Sequence, residues 1–380
     1  MTWKTVDTMM LRHEFIALAL QEGANRRELC RRFGISPKTA YKWLHRFALE
    51  GQEGLQDRSR RPQSISLQTC AEIERAVVAL RQAHPTWGGR KIHHRLLDLG
   101  HVIAPAPSTI SHILHRNGLI NPTSSTGHVP WHRFEHEQPN ALWQIDFKGN
   151  FPTLKAMCYP LTVLDDHSRF NLVLQACVRP NSAEVQKHLI NAFKRYGMPV
   201  RFNADNGAPW GSPREPAHGI TPLTIWLIRL GIRVSHSRPA HPQTNGKEER
   251  FHRTLKADVL QGCHFTDLVQ VQGAFDRWRT VYNMERPHEG IQMATPITRY
   301  RSSPLPYSEV LAPIEYETGT LVLKVGWNGV ITFGKRMINV PKALQGYPIT
   351  VKPASDEDGV HDLYFCHQRF MQIDLNMPKK

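Results

Sequence analysis

The chain has 380 residues, a length that exceeds one ordinary hydrophobic core and predicts several domains. Its 48 Lys and Arg outnumber 33 Asp and Glu, and the net charge of +15 favours nucleic acid as a partner over a merely soluble basic protein. The six cysteines form no CxxC pair, no apolar run is long enough to span a membrane, and the first residues lack a signal-peptide pattern, so we expect a cytoplasmic protein without disulfides, zinc knuckle or membrane role.

The first predicted unit is a pair of helices in NRRELCRRFGISPKTAYKWLHRF. Gly34 ends the first helix, Ser36 caps the second, and Pro37 occupies its first turn. The predicted buried face consists of Ala40, Trp43, Leu44 and Phe47. The exposed face then offers four candidate DNA contacts, Lys38, Thr39, Tyr41 and Lys42. We therefore predict a helix-turn-helix domain over residues 1–57; the alternative is an ordinary helical hairpin with a solvated basic face.

A second helix-turn-helix domain is predicted over residues 66–122. Ser108 is expected to cap a helix whose inward face carries Ile110, Ile113 and Leu114. The candidate DNA contacts on its outer face are Thr109, Ser111, His112 and Arg116.

Between the two units, QDRSRRPQSIS is typical of an extended linker. Its arginines, Arg58, Arg60 and Arg61, are candidates for entering a DNA minor groove. A solvated spacer is the equally weighted alternative.

Beyond a further linker at residues 123–139, the hydrophobic period changes. Strand-like runs follow one another from Ala141, and an amphipathic helix ends at Gly197. This order predicts an α/β core with a mixed sheet covered by helices, residues 140–302. The tail, residues 312–380, has short apolar alternations that predict a small SH3-like β-barrel.

Two aspartates stand where strands are predicted. Asp146 lies inside LWQIDF and Asp205 closes RFNADNG. A buried carboxylate is costly unless it is paired, and a bound cation is one such partner. For Asp205 the alternative is a tight turn with Asn206 and Gly207.

The adjacent glutamates of HPQTNGKEERFHRTLKADVL are separated by helical geometry. In a helix that begins near Gly246, Glu248 lies almost on the buried stripe of Phe251, Leu255 and Val259. Glu249 is rotated away and shares its face with Arg253 and Lys256, which predicts Glu249 as the functional carboxylate. The alternative is a solvated pair between Glu249 and Arg253.

Three motifs in this order, LWQIDF, NADNG and HPQTNGKEERFHRTLK, resemble the DDE signature of bacterial insertion-sequence transposases in the retroviral integrase superfamily. The closing YNMERPHEGIQMATPITRY is similar to the end of that core. The resemblance implies an RNase H-like fold in which Asp146, Asp205 and Glu249 are catalytic and bind metal. Counting from HPQTNG also selects Glu249. The segment after Asp205, APWGSPREPAHGITP, is longer than is commonest in the family.

Such a triad suits two Mg²⁺ or Mn²⁺ ions, about 3.5 to 4 Å apart, that flank a phosphodiester. Cations beside it are candidate phosphate contacts: Lys247, Arg250, Arg253 and Lys256. The rival acids Asp165 and Asp166 stand where two strands are expected to turn.

These expectations together describe a DNA transposase. It binds terminal inverted repeats of duplex DNA, nicks the ends and joins them to target DNA, as a homodimer or larger assembly. We expect it in the bacterial cytoplasm, at the nucleoid. The alternatives are a catalytically inactive or domesticated DNA-binding regulator and a nuclease that acts on RNA in hybrids.

Overall fold

The computed structural model describes residues 7–59, 69–120, 135–212, 220–236, 246–354 and 358–376. The chain divides into two compact units, Met1–Gln68 and Thr69–Lys380. Over the described ranges, no helix is long and apolar enough to cross a membrane.

The first unit is helical. Its helices are α1 (Thr8–Ala19), α2 (Arg26–Arg32) and α3 (Pro37–Glu50), followed by a 3₁₀ turn, Gly51–Leu55. As predicted, Gly34 has a positive φ of 63° between α2 and α3, and the Ser36 side chain accepts a hydrogen bond from Thr39 N at the start of α3. The core of the unit joins all three helices through residues that include Phe15, Ile16, Ala40, Trp43 and Leu55.

The second unit begins with α4 (Ala71–Ala83), α5 (Gly89–Asp98) and α6 (Pro107–Arg116). A Cβ on Gly89 would lie 2.4 Å from the main-chain oxygen of Pro107, so only glycine permits this close approach of α5 and α6. Ile110 and Ile113 are buried as predicted. The prediction that Ser108 caps α6 is wrong, since the cap position is Ala106. Pro107 fits the first helical turn, so the helix begins two residues nearer the N-terminus than predicted.

A mixed sheet and its helices follow. The elements are β1 (Trp143–Phe147), β2 (Phe151–Pro152), β3 (Met157–Asp165), β4 (Asn171–Cys177), α7 (Ser182–Tyr196), β5 (Arg201–Ala204), α8 (Pro222–Arg229), β6 (Arg233–His236), α9 (Gly246–Leu255), a π-helical turn (Lys256–Leu260), α10 (Leu268–Met284), a 3₁₀ turn (Glu289–Ile291) and α11 (Pro296–Arg299). In the sheet, β3 pairs antiparallel with β1, β2 and β4, whereas β1, β5 and β6 are parallel neighbours. The predicted mixed sheet is confirmed.

Helices cover both faces of this sheet. Trp143 and Ile145 of β1 pack in the cluster that contains α7 and α8. Leu164 of β3 and Leu174 of β4 pack on the other side with Phe251 of α9 and the apolar face of α10. Because side chains alternate along a strand, the residue after Ile145, Asp146, points toward the α9 side.

The second helix-turn-helix segment is tied to the core through charged and polar contacts. Arg95 of α5 donates to Glu285 at 2.6 Å, just past the end of α10. Asp258, in the π-helical turn after α9, accepts hydrogen bonds from Thr86 Oγ1 at 2.6 Å and from Arg286 at 3.2 Å. The helical segment α4–α6 and the helices that cover the sheet therefore share one compact unit.

The tail forms two antiparallel sheets. Its elements are β7 (Leu321–Lys324), β8 (Val330–Phe333), β9 (Arg336–Asn339), a 3₁₀ turn (Lys342–Leu344), β10 (Pro348–Pro353), β11 (Val360–Phe365) and β12 (Gln368–Asp374). One sheet has the order β12-β11-β10-β7, and β8 pairs with β9. The described residues form no closed sheet, so the predicted barrel is not confirmed. Apolar residues of the tail join the core cluster, and Val234 N of the edge strand β6 donates to Gln368 Oε1 at 3.2 Å.

Candidate active site

Asp146 and Asp205 stand at the carboxyl ends of neighbouring parallel strands. The register pairs Trp143 with Phe202 and Gln144 with Asn203. Continued by two residues, it places Asp205, directly after β5, beside Asp146, with about 5 Å between the strands. Gly207 N donates to Asp205 Oδ1 at 3.1 Å, so Asp205 also shapes the turn that follows it.

The first turn of α9 separates the two glutamates as predicted. Glu248 is 1% exposed and lies on the buried stripe with Phe251 and Leu255, whereas Glu249 is exposed. The carboxylate of Glu249 thus faces outward from the helix that packs over the Asp146 side of the sheet.

Electrostatics link the three predicted acids. Burial, and next the charge of Asp205, raise the pKa of Asp146 to about 7, and the charge of Glu249 acts in the same direction. Burial also raises the pKa of Asp205, although the hydrogen bond from Gly207 opposes the shift. Removing like charges from water in one place disfavours ionisation, a pattern typical of functional sites.

The three acids fit a hard divalent cation by their chemistry. All are carboxylates, the donor type that Mg²⁺ and Mn²⁺ prefer, and a cation would offset the burial and the repulsion that raise the pKa of Asp146. Among the described residues, no three His, Cys, Asp or Glu side chains form a ready-made metal cage. The ligand set is therefore a proposal.

A buried polar cluster that sequence reasoning missed lies behind Asp146. The Thr162 hydroxyl is 3.0 Å from Glu248 Oε2 and 2.9 Å from His252 Nε2. The Nδ1 atom of His252 is 3.9 Å from Asp146 Oδ2. Burial raises the pKa of Glu248 well above its usual range and lowers that of His252 to about 4. A signal was present in the sequence, since a Glu on a buried helical stripe needs a polar neighbour.

The rival acids Asp165 and Asp166 are occupied elsewhere. Asp165 accepts hydrogen bonds from Asn140 N at 2.7 Å and Ser168 N at 2.8 Å, in the turn between β3 and β4. Asp166 pairs with Lys247 and accepts from Gln144 Nε2 at 3.0 Å. Both carboxylates are buried and stabilise the turn.

The structure corrects the expected position of Lys247. Its side chain is only 18% exposed because it reaches inward to Asp166. Burial, and next the charge of Arg169, lower the pKa of Lys247 to about 8. Of the other cations predicted beside the site, Arg253 and Lys256 are exposed on α9 and the following turn, and Arg250 donates to Glu289 at 3.2 Å.

The predicted DNA contacts of the first unit lie largely at its surface. Lys38, Tyr41 and Lys42 are exposed, and Thr39 is partly so. Lys42 Nζ also lies 4.4 Å from the centre of the Trp43 ring. Arg58 pairs with Glu50. Arg60 and Arg61 fall outside the described residues.

In the second helix-turn-helix segment, His112 is exposed, and Thr109 and Ser111 are partly buried. Ser111 Oγ donates to the main-chain oxygen of Pro107 at 2.9 Å. Arg116 donates to Glu74, which raises the pKa of Arg116. Arg116 is exposed, and both Arg116 and Ser111 have partners within the fold; their role as DNA contacts stays a prediction.

Comparison with known families agrees with this architecture. The family described as Integrase core domain matches residues 136–242, and a second family of the same description matches residues 230–296. A Helix-turn-helix domain matches residues 12–63 and a Homeodomain-like domain residues 39–114. The IS481 family transposase, C-terminal domain, matches residues 320–380.

Individual proteins show the same similarity. The "Transposase for insertion sequence element IS904" of Lactococcus lactis is 26% identical over 43% of this chain and 62% of its own length. The "Insertion element IS407 uncharacterized 31.7 kDa protein" of Burkholderia multivorans is 24% identical, over 42% of this chain and 54% of its own. The "Insertion element IS476 uncharacterized 39.2 kDa protein" of Xanthomonas euvesicatoria is 27% identical, over 40% and 41%. The chain thus spans about half the length of these relatives.

Solved structures are more distant. A simian T-cell lymphotropic virus intasome in complex with PP2A regulatory subunit B56 gamma covers 76% of this chain and 91% of its own, with 16% identity and a TM-score of 0.39. The catalytic core domain of BIV integrase covers 42% and 92%, with 23% identity and a TM-score of 0.31. Scores at this level carry no structural argument.

The fold and the matched families define an integrase catalytic core preceded by helix-turn-helix DNA-binding domains. The predicted resemblance to bacterial insertion-sequence transposases is confirmed, since residues 136–296 match integrase core domains and residues 320–380 match the IS481 family transposase C-terminal domain.

Proposed function

We propose that this protein is a DNA transposase that cleaves the ends of an insertion sequence and joins them to target DNA. The observation that carries the proposal is the placement of Asp146 and Asp205 on neighbouring parallel strands of a segment that matches integrase core domains, with the exposed Glu249 on the helix that packs over the Asp146 side of the sheet. Burial, and next the charge of Asp205, raise the pKa of Asp146, and the charge of Glu249 acts in the same direction. Asp146, Asp205 and Glu249 would hold two Mg²⁺ or Mn²⁺ ions. When bound, these ions activate the attacking oxygen and stabilise the leaving oxygen of a phosphodiester.

The protein's own residues have complementary tasks. The two aspartates lie at the ends of neighbouring parallel strands, which hold their carboxylates at a fixed position relative to each other. The exposed Glu249 approaches from α9. Arg253 and Lys256, exposed beside Glu249, contact the flanking phosphates and position the strand for in-line attack.

DNA is delivered by the helical modules. The helix-turn-helix domains, with proposed bounds of residues 1–57 and 66–122, recognise the terminal inverted repeats, and residues 140–302 carry the catalytic core. Residues 312–380 form the proposed SH3-like domain. Because two element ends must be held together, the active assembly is a homodimer or larger. We place its action on the DNA of the bacterial cytoplasm.

The test uses purified full-length protein and duplex oligonucleotides that end in the inverted repeats flanking its gene. Asp146→Asn, Asp205→Asn and Glu249→Gln should each abolish Mg²⁺-dependent nicking and joining but retain end binding in a gel-shift assay. The matched control is Glu315→Gln, which neutralises an exposed carboxylate outside the core. Near wild-type joining by any of the three variants would remove that residue from the site. A wild-type protein that binds the ends without cutting them would favour the inactive regulator.

A further inference from the structure

The buried cluster behind Asp146 is bonded to the main chain of that residue. Thr162 of β3 lies opposite Asp146 of β1 in the antiparallel ladder. Directly opposed residues project from the same face of a sheet, so the Thr162 side chain shares the α9 side with Asp146. The Thr162 hydroxyl is also 3.1 Å from the main-chain oxygen of Asp146.

Two consecutive turns of α9 close on this threonine. Glu248 and His252 are four positions apart in the sequence and therefore occupy the same face of the helix. Glu248 Oε2 lies 3.0 Å from the Thr162 hydroxyl, and His252 Nε2 lies 2.9 Å from it. The imidazole therefore stands between Thr162 and the Asp146 carboxylate, with Nδ1 3.9 Å from Oδ2.

Thr162 and Glu248 are shielded from water, so their polar atoms depend on partners within the protein. Thr162 is 0% and Glu248 1% exposed. Glu248 Oε1 is buried and has no hydrogen-bond partner in the described part of the chain. A buried carboxyl group that uses only one oxygen costs free energy, and packing alone would be served better by an aliphatic side chain of similar size.

We propose that Thr162, Glu248 and His252 are positioning residues that lock α9 to the strands β1 and β3, and thereby fix the distance between Asp146 and Glu249. The inference rests on the proposed metal site. Polar groups that hold the elements carrying metal ligands in place act on the ligands indirectly, and the loss of such outer partners commonly lowers metal affinity or activity by about 10- to 100-fold. Glu248 and Glu249 are neighbours on one helical turn, so a shift of the buried side chain displaces the exposed one.

The experiment measures Mn²⁺ binding to the full-length protein by electron paramagnetic resonance, without DNA. Thr162→Val keeps the shape but removes the hydroxyl, and Glu248→Leu removes both oxygens. We expect each to raise the Mn²⁺ concentration for half-saturation about 10-fold or more. Glu248→Gln retains an oxygen that accepts from Thr162 and should recover most of the affinity. In a joining assay, the Thr162→Val defect should shrink as Mn²⁺ is raised.

The matched control is Thr350→Val in β10. Thr350 is also a buried strand threonine, and its hydroxyl has no partner among the residues the structure describes. The same substitution there should leave Mn²⁺ half-saturation at the wild-type value. Thermal unfolding of each variant identifies any that fails to fold, and Glu248→Leu and Thr162→Val serve as independent tests.

The outcomes separate the two proposals. If wild type binds Mn²⁺ and Asp146→Asn abolishes the binding, but Thr162→Val and Glu248→Leu bind as wild type does, the positioning role is refuted and the transposase stands. If Mn²⁺ binding by wild type does not depend on Asp146, the metal site itself is refuted.

Discussion

Neutralising Asp146 should stabilise the metal-free protein while it destroys the proposed metal site. In the fold, burial and the charge of Asp205 raise the pKa of Asp146 from 3.8 to about 7. The folded state therefore holds its proton more tightly than the unfolded chain. As the pH rises from about 4 to 7, the unfolded chain releases that proton first, and stability is lost across this window. Above it, the full penalty remains in wild type and is absent in Asp146→Asn.

The size of the effect follows from the shift. Roughly three pKa units correspond to at most about 4 kcal/mol. The Asp146 side chain is 24% exposed, and water screens part of the penalty, so we expect about 2 kcal/mol. For a unit of this size, that is roughly a 4 °C increase in Tm.

The assay is thermal unfolding of wild type and Asp146→Asn, without metal and with millimolar Mg²⁺, between about pH 4 and pH 8. The variant should be the more stable protein at the upper end, and the difference should vanish at the lower end. Mg²⁺ should raise the Tm of wild type only, because a ligand stabilises the state that binds it.

The control Glu315→Gln removes an exposed carboxylate and should follow wild type at every pH. A variant that is less stable than wild type above neutral pH would refute the reasoning. So would an equal response of both proteins to Mg²⁺.

Three further predictions concern the rest of the chain. Burial lowers the pKa of His288 to about 3 in the fold, so the protein loses stability as the pH falls below the unfolded-chain pKa of about 6.5. Near pH 5, His288→Gln should recover roughly 2 kcal/mol of the lost free energy of unfolding, measured in urea. The same pH dependence in wild type and variant would contradict this. Asp258→Ala leaves the buried Arg286 without the carboxylate it bonds and should cost about 3 to 5 kcal/mol by denaturant unfolding, whereas a loss below about 1 kcal/mol would show that the pair contributes little. Replacing Lys38 and Lys42 by Gln should weaken DNA binding and reduce its salt slope by about one unit per lost phosphate contact; the same slope in wild type and variant would mean that these lysines face solvent only.

The turn after α9 contacts both the second helix-turn-helix segment and α10. Asp258 lies in a π-helical turn, a local distortion that is frequent at functional positions. It receives hydrogen bonds from Thr86 of the second helix-turn-helix segment and from Trp278 Nε1 of α10, at 2.6 and 2.9 Å. The helix that carries Glu249 is thus anchored at its far end by the segment proposed to bind the DNA end.

Features set by neighbouring residues were predictable from the sequence. Ser36 caps α3, and the helical wheel separates the buried Glu248 from the exposed Glu249, because both depend on the 3.6-residue period and on groups within one turn. The strand that contains Asp146 and the strand that Asp205 follows are marked by aromatic residues, Trp143, Phe147 and Phe202. At α6, Ser108 and Pro107 predict different starts of the helix, and the helix begins at Pro107.

Only the tertiary structure decided the partners of buried polar groups. Lys247 meets Asp166, 81 residues away, and Thr162 meets His252, 90 residues away. Whether the strands of the tail close into a barrel could likewise not be predicted from the sequence. Hydrophobic periodicity identifies the strands, but it does not show whether the last strand pairs with the first. Periodicity reports which face of an element is buried; what that face touches is settled by the packing of distant segments, where a buried charge or hydroxyl must find its partner or cost free energy.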